Sequence, residues 1–141
     1  LGATGTGKSF LASALGMAAC RSGYAVRYVR TSRFLHALAH ARQDGSYLHF
    51  LRSLNKTEVL ILDDWMRDPI PLAAAQDLLE VFDDRFGKSA TLIASQVPVA
   101  EWHSRFPDPT IADAILDRSV HNAHRVSISG DLRGFRAISH T

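Results

Sequence analysis

The sequence lacks the features that stabilise secreted proteins or anchor membrane proteins. Its 141 residues include one cysteine, Cys20, which has no partner for an internal disulfide. A lone cysteine favours a reducing, cytoplasmic setting. Because Cys20 follows two alanines in an apolar segment, we expect a buried thiol. No apolar stretch approaches the roughly 20 residues of a membrane-spanning helix, so we expect no membrane partner.

Lysine is also scarce, with 3 residues against 13 arginines, although the net charge is only +2. Arginine forms paired hydrogen bonds with phosphates and carboxylates. The bias therefore suits a nucleotide or nucleic-acid partner, but arginine-rich codon usage explains it equally well. Apolar residues make up 46% and charged residues 21%, which is typical of a soluble globular domain with a substantial core.

What the chain does have is a regular alternation of strand and helix patterns. Apolar runs without alternation at 59–62 and 91–94 are typical of parallel strands buried on both faces. Such an order predicts an α/β fold with a mostly parallel sheet flanked by helices. Two further strands are predicted at 24–30 and 125–129, and helices are predicted from Lys8 to Arg21, from a cap at Thr31 or Ser32 to 41, and at 48–54, 71–86 and 108–118.

Residues 2–9, with the sequence GATGTGKS, match the phosphate-binding P-loop pattern completely. Glycines let the backbone turn successive N–H groups toward phosphate oxygens, and the following helix adds its positive end. Lys8 would reach the β- and γ-phosphates of ATP, and the Ser9 hydroxyl would join the Mg²⁺ shell. The predicted nucleotide contacts are Gly2, Thr4, Gly5, Thr6, Gly7, Lys8 and Ser9.

Two carboxylates directly follow the apolar run at 59–62, where ligands bind in open α/β sheets. Asp63 would hold magnesium through water, and Asp64 would orient and deprotonate the attacking water. Paired acids alone are common, and Asp83 and Asp84 form another such pair. Together with the P-loop, however, Asp63 and Asp64 predict an ATPase site.

Two polar residues farther along the chain complete the predicted site. Ser95 and Gln96 end the next buried strand, and Gln96, which we prefer, either reaches the γ-phosphate and the lytic water or only caps the turn. Arg118 either enters a neighbouring subunit's site to neutralise transition-state charge or pairs with Asp113 or Asp117 of its own helix. Arg125 is the second candidate for this arginine finger.

With these motifs placed, the chain resembles the IstB family, the ATPase helpers of insertion-sequence transposition. These proteins are related to the DnaC-type helicase loaders of the AAA+ class. The first two motifs are general to P-loop ATPases, whereas the later ones point to this family. The resemblance extends to about residue 129 and rests on residues 2–9, 60–65, 94–98, 108–118 and 121–123.

The resemblance implies an AAA+ core at residues 1–129, truncated at the P-loop, and a polar C-terminal tail at 130–141. It implies a homo-oligomer with ATP sites shared between subunits, which assembles on duplex DNA and assists a transposase. Gln96 then corresponds to the first sensor and Arg118 to the arginine finger. The residues that carry over directly are Lys8, Ser9, Asp63 and Asp64.

The family's sheet, by the same resemblance, has a central strand just before the P-loop, whereas this chain starts on the loop at Leu1. We therefore expect a fragment of a longer protein, without that strand and without a helical lid. Three alternatives stay open: a DnaC-like helicase loader, a non-catalytic remnant of a truncated gene, and a small-molecule P-loop kinase. The kinase would need an acceptor pocket, and the sequence indicates none.

Overall fold

The structure, a computed structural model, describes the backbone of residues 2–121, 124–128 and 135–139 and the side chains of residues 11–119. Strands alternate with helices along the chain, as the sequence predicts. The strands are β1 Val26–Arg30, β2 Val59–Asp63, β3 Ala90–Ile93, β4 His124–Ile128 and β5 Phe135–Ser139. The α-helices are α1 Gly2–Arg21, α2 Thr31–Asp44, α3 Tyr47–Asn55, α4 Leu72–Arg85 and α5 Pro109–Leu116, with short 3-10 turns at Val99–Glu101 and His103–Arg105 and a π-helical turn at Asp117–His121.

A parallel sheet in the order β1-β2-β3 forms the centre of the fold. Val59 of β2 lies opposite Val26 of β1 and opposite Ala90 of β3. The central strand β2 is the continuous apolar run of the sequence, and Leu60, Ile61 and Leu62 are all buried. Since parallel strands align their carboxyl ends, the residues that follow β1, β2 and β3 meet at one edge of the sheet.

Helix α1 covers one face of this sheet at close range. Ala12 packs with Ile61 and Ala94 in a small buried cluster. A Cβ atom added at Gly16 would lie 2.8 Å from Cδ1 of Ile61, so a larger residue at this position would require the end of the Ile61 side chain to shift. Cys20 lies one turn farther along and is exposed, so the predicted burial of its thiol is wrong.

The other helices pack on the opposite face and enclose the larger core. Trp65 is 1% exposed, stacks on Phe82 with 5.7 Å between ring centroids, and meets the edge of Trp102 at 5.9 Å. Core packing, rather than contact with a ligand, therefore accounts for the Trp65 side chain. The cluster joins β2 to the four helices through Phe34, Leu38, Leu54, Leu60, Leu62, Leu78, Val81 and Ile115.

The start of α1 differs from the prediction. The helix begins at Gly2 rather than at Lys8, so residues 2–7 have a helical backbone instead of a loop. Binding phosphate with these amides would require the first turns of α1 to unwind.

The capping prediction for α2 is also wrong. Arg30 is the N-cap, and no side chain there bonds to the first free amides. Thr31 instead donates its hydroxyl to the backbone oxygen of Asp63 at 2.8 Å, because α2 starts beside the end of β2. For α5 the local signal is correct, and Asp108 accepts hydrogen bonds from the amides of Thr110 and Ile111.

Strands β4 and β5 form an antiparallel pair separate from the parallel sheet. The sequence predicts β4 but no strand in the region of β5. The register explains the pairing, because Val126 lies opposite Ala137 and Ile128 opposite Phe135. Apolar residues that look isolated in the sequence thus become cross-strand partners. Among the described residues, no helix has the length and apolar character needed to cross a bilayer.

A charged network joins α2, α3 and α4 at the surface. The Arg42 guanidinium donates to Asp77 at 2.9 Å and to Glu80 at 3.3 Å, and lies 3.7 Å from the ring centroid of Tyr47. Tyr47 donates its hydroxyl to Glu80 at 3.1 Å. Burial, reinforced by the charges of Asp77 and Glu80, raises the pKa of Tyr47 to about 12.

This pKa predicts a specific loss of stability in alkali. In the unfolded chain tyrosine titrates near pH 10. Below that pH Tyr47 is protonated in both the folded and the unfolded state, so its ionisation does not change the free energy of unfolding. Between about pH 10 and 12 Tyr47 ionises only in the unfolded state, which favours unfolding. The free energy of unfolding should therefore fall across this window, and Tyr47→Phe should remove part of the fall. Urea unfolding at about pH 9 and about pH 11 measures this fall in the free energy of unfolding. The control is Tyr24→Phe, which alters an exposed tyrosine. An equal fall in both variants would show that Tyr47 does not cause it.

Candidate functional site

Asp63 lies at the carboxyl end of the central strand and is 4% exposed. Its Oδ1 accepts a hydrogen bond from the amide of Asp64 at 2.9 Å, and its Oδ2 accepts one from the hydroxyl of Tyr28 on β1. Its backbone oxygen accepts the Thr31 hydroxyl. Strand β1 and the start of α2 thus fix both the backbone and the carboxylate of Asp63.

The next residues form a turn with an unusual backbone. Asp64 has φ 54° and Met66 has φ 66°, both in the left-handed region that non-glycine residues seldom adopt. Trp65 lies between them with its indole in the core and its amide bonded to the oxygen of Ala94 at 3.0 Å. This turn directs the chain away from β2 and leaves Asp64 only partly buried.

Gln96 lies in a bend just after β3, beside this turn, and is exposed. The neighbouring Ser95 caps the bend, because its Oγ accepts a hydrogen bond from the amide of Val97 at 3.0 Å. Ser95 also donates its hydroxyl to the backbone oxygen of Trp65. The capping role considered for Gln96 thus belongs to Ser95, and no hydrogen bond joins Gln96 to the rest of residues 11–119.

Arg118 lies in the π-helical turn after α5, and its side chain is 29% exposed. Its Nη1 donates to the oxygen of Ala114 at 2.9 Å, and its Nε forms an ion pair with Asp83 on α4. The predicted alternative was a pair with Asp113 or Asp117, and the ion pair that the structure shows for Arg118 is instead with Asp83. Sequence spacing finds neighbours on one helix, whereas Asp83 comes from the packing of α4 against this turn.

The predicted phosphate contacts occupy the first turns of α1, and their side chains lie outside the described residues. They are Gly2, Thr4, Gly5, Thr6, Gly7, Lys8 and Ser9. The side chain of Arg125, on β4, is not described either. The roles of these residues in binding ATP and magnesium, and those of Asp63, Asp64, Gln96 and Arg118, remain predictions.

A cavity of about 760 Å³ opens beside Asp64, between α2, α4 and the segment that follows β2. Its walls are largely apolar, with charged groups such as Arg30 and Arg67 near the sheet and Arg42 with Asp77 farther away. In the described part of the chain, no group of three or more His, Cys, Asp or Glu side chains could enclose a metal by itself. Magnesium there would need ligands besides the carboxylates.

The structure brings Asp63, Asp64 and Gln96 to one edge of the sheet, as the sequence predicts. Sequence reasoning missed Tyr28 and the supporting hydrogen bonds of the Thr31 and Ser95 hydroxyls. The sequence places Ser95 beside Gln96 but does not indicate that its hydroxyl bonds to Trp65. Nothing in the sequence marks Tyr28, because its contact depends on the pairing of β1 with β2.

The fold is similar to that of DnaA proteins of known structure. AMPPCP-bound DnaA from Aquifex aeolicus superposes with a TM-score of 0.66 at 21% identity, over 79% of this chain and 35% of that protein. A DnaA bound to AMPPCP and single-stranded DNA gives a TM-score of 0.64 at 20% identity, over 77% and 34%. At this identity the likeness concerns the fold alone.

Sequence comparison identifies closer relatives. The insertion sequence ATP-binding protein y4pL of Sinorhizobium fredii is 51% identical over 130 residues, which cover 92% of this chain and 53% of y4pL. Its counterpart y4uH from the same organism is 52% identical, over 93% and 53%. The chain thus spans about half the length of these relatives. A family model described as IstB-like ATP binding protein matches residues 1–139, and the chain belongs to this family.

Proposed function

We propose that this protein is an ATP-binding and ATP-hydrolysing oligomeric switch that assembles on duplex DNA and assists a transposase. The observation that carries the proposal is the placement of Asp63, Asp64 and Gln96 at the carboxyl edge of the sheet, in a chain of the IstB-like family. An ATPase of this class needs carboxylates and a polar sensor at that edge.

Asp63 has the chemistry of a magnesium ligand. Mg²⁺ is bound in such sites by one or two carboxylates together with substrate phosphates and waters. Asp63 fits because its carboxylate is held in place by Tyr28 and by the amide of Asp64. Ser9 would supply the second protein oxygen. Bound magnesium would neutralise charge on the phosphates of ATP.

The other residues have separate roles in the proposed hydrolysis. Asp64, which is partly solvent-accessible, would accept the proton of the attacking water. Gln96 would orient that water from the adjacent bend. Arg118 would leave Asp83 and enter the neighbouring subunit's site, which links hydrolysis to assembly.

Exposed arginines support the proposed contact with DNA. Arg30 and Arg33 are exposed at the end of β1 and the start of α2. Arg42 is less suited, because Asp77 and Glu80 already bind its guanidinium, and Arg27 lies 5.2 Å from the ring centroid of Phe50. The relatives' link to insertion sequences supports a transposase as the partner that the switch serves.

The proposal is tested by measuring the affinity of the full-length protein for duplex DNA with ATP and with ADP over a range of salt. We expect tighter binding with ATP, loss of that difference in Lys8→Ala, and a steep salt dependence. Arg30→Gln or Arg33→Gln should each lower the slope by about one. Lys88→Gln, at the opposite edge of the sheet, is the control. Equal affinity with both nucleotides would contradict the switch.

Tyr28 yields a prediction about magnesium. Because its hydroxyl orients the carboxylate of Asp63, Tyr28→Phe should raise the Mg²⁺ concentration for half-maximal ATP hydrolysis by about tenfold. The maximal rate at saturating Mg²⁺ should change little. Tyr24→Phe, which alters a half-exposed tyrosine before β1, is the control. An unchanged Mg²⁺ requirement would show that Tyr28 does not support the metal site.

A further inference from the structure

We propose that Ser95 is a positioning residue that couples the Asp64 turn to the Gln96 bend, so that both catalytic groups keep a fixed mutual geometry. The inference rests on the proposed ATPase function and adds a residue to its machinery. Ser95 itself would contact neither ATP nor water. It would act through the two segments that its hydroxyl joins.

The Ser95 hydroxyl lies between the two segments and bonds to both. Its proton goes to the backbone oxygen of Trp65, and its oxygen accepts the amide of Val97 at 3.0 Å. Trp65 and Val97 are the immediate neighbours of Asp64 and Gln96 in the sequence. A single side chain therefore connects the residues that follow the proposed base and the proposed sensor.

Both segments are also anchored from the far side. Trp65 donates its amide to Ala94 at 3.0 Å, and its indole is fixed between Phe82 and Trp102. Trp102 donates its Nε1 to the oxygen of Val97 at 2.8 Å. Val97, in the Gln96 bend, is thus held by Ser95 at its amide and by Trp102 at its carbonyl oxygen. The Trp102 ring also contacts Trp65.

The strained backbone of the turn explains why such a connection is needed. Asp64 and Met66 both have left-handed φ values, and such residues persist only where the surroundings hold them. The Trp65 carbonyl lies between the two strained residues, and the Ser95 hydroxyl is its hydrogen-bond donor. Without that donor the turn can relax, which moves the Asp64 carboxylate relative to Gln96.

A displacement of this kind would affect chemistry more than binding. Proton transfer and water orientation depend on positions to within a fraction of an ångström, whereas ATP is held mainly by the P-loop. Ser95→Ala should therefore lower kcat by about tenfold while KM for ATP stays within about twofold. Ser95→Thr, which keeps the hydroxyl, should restore most of kcat.

The matched control is Ser104→Ala, because Ser104 also donates its hydroxyl to a backbone oxygen, that of Glu101 at 2.9 Å, outside the site. A double-variant comparison separates positioning from general damage. If Ser95 acts through Gln96 or Asp64, then Ser95→Ala should lower kcat far less in a Gln96→Ala or Asp64→Asn background. Equal effects in all backgrounds, or a rise in KM that matches the fall in kcat, would overturn the inference.

A second readout does not depend on hydrolysis. Amide hydrogen exchange of the full-length protein should become faster in Ser95→Ala at both residues 64–66 and residues 95–97, and should be unchanged in Ser104→Ala. Faster exchange only at 95–97 would show that Ser95 caps its own bend and nothing more. If the wild-type protein does not hydrolyse ATP, the proposed function fails, and the exchange pattern still decides whether the two segments are coupled.

Discussion

Replacing Asp64 by asparagine is expected to lower the rate of ATP hydrolysis by about a thousandfold while ATP still binds. Asparagine has nearly the same shape and tolerates the left-handed backbone that Asp64 adopts, so the turn should persist. The amide cannot accept a proton from the attacking water. Steady-state hydrolysis gives the loss in rate, and equilibrium binding of a labelled nucleotide shows whether affinity is retained.

The control for Asp64→Asn is Asp68→Asn, which removes the same charge from an exposed position in the same segment after β2. We expect that variant to hydrolyse ATP at close to the wild-type rate. A loss of less than about tenfold in Asp64→Asn would show that Asp64 is not the general base. An equal loss in both variants would indicate that the charge of the segment, rather than the position of Asp64, matters.

The largest expected effect on stability comes from Arg85, which is 3% exposed at the amino-terminal edge of the sheet. Its guanidinium donates to the backbone oxygens of Leu54 at 3.0 Å, Thr57 at 2.9 Å and Ala90 at 2.7 Å, and to the Thr91 hydroxyl at 3.1 Å. Burial lowers the pKa of Arg85, and the charge of Asp84 opposes this. The side chain thus ties α3 and α4 to the starts of β2 and β3.

Arg85→Met should lower the free energy of unfolding by about 4 kcal/mol, since each buried carbonyl left without a donor costs about 1–3 kcal/mol. That is a large part of the stability of a typical domain. Urea unfolding of the full-length protein measures the loss, and the exposed Arg52→Met on α3 is the control. A loss below about 1 kcal/mol would show that water replaces the guanidinium at this edge.

Features that depend on local sequence could be predicted. The apolar run at 59–62 became the central strand because a strand buried on both faces needs no alternation. Asp63 and Asp64 follow it at the edge where ligands bind, and Asp108 caps α5 as its position indicates. These predictions needed only the order of residues and the geometry of parallel sheets.

Features that depend on packing could not be predicted. The contact of Tyr28 with Asp63 requires the register of β1 on β2, and the pair of Arg118 with Asp83 requires the docking of α5 and its following turn on α4. The left-handed backbone of Met66 carries no sequence signal, because methionine seldom adopts it. The sequence can therefore list candidate residues, but the arrangement of the site depends on contacts between elements that are distant in sequence.

The central claim, hydrolysis at a site shared between subunits, is tested most directly by mixing two inactive variants of the full-length protein. Asp64→Asn lacks the base but keeps Arg118, whereas Arg118→Ala lacks the arginine but keeps Asp64. In a head-to-tail assembly, random mixing in equal amounts places an intact base beside an intact arginine at about a quarter of the interfaces. The account predicts that each variant alone is nearly inactive on duplex DNA and that the mixture regains about a quarter of the wild-type rate. A mixture as inactive as its components, or full activity of Arg118→Ala alone, would contradict it.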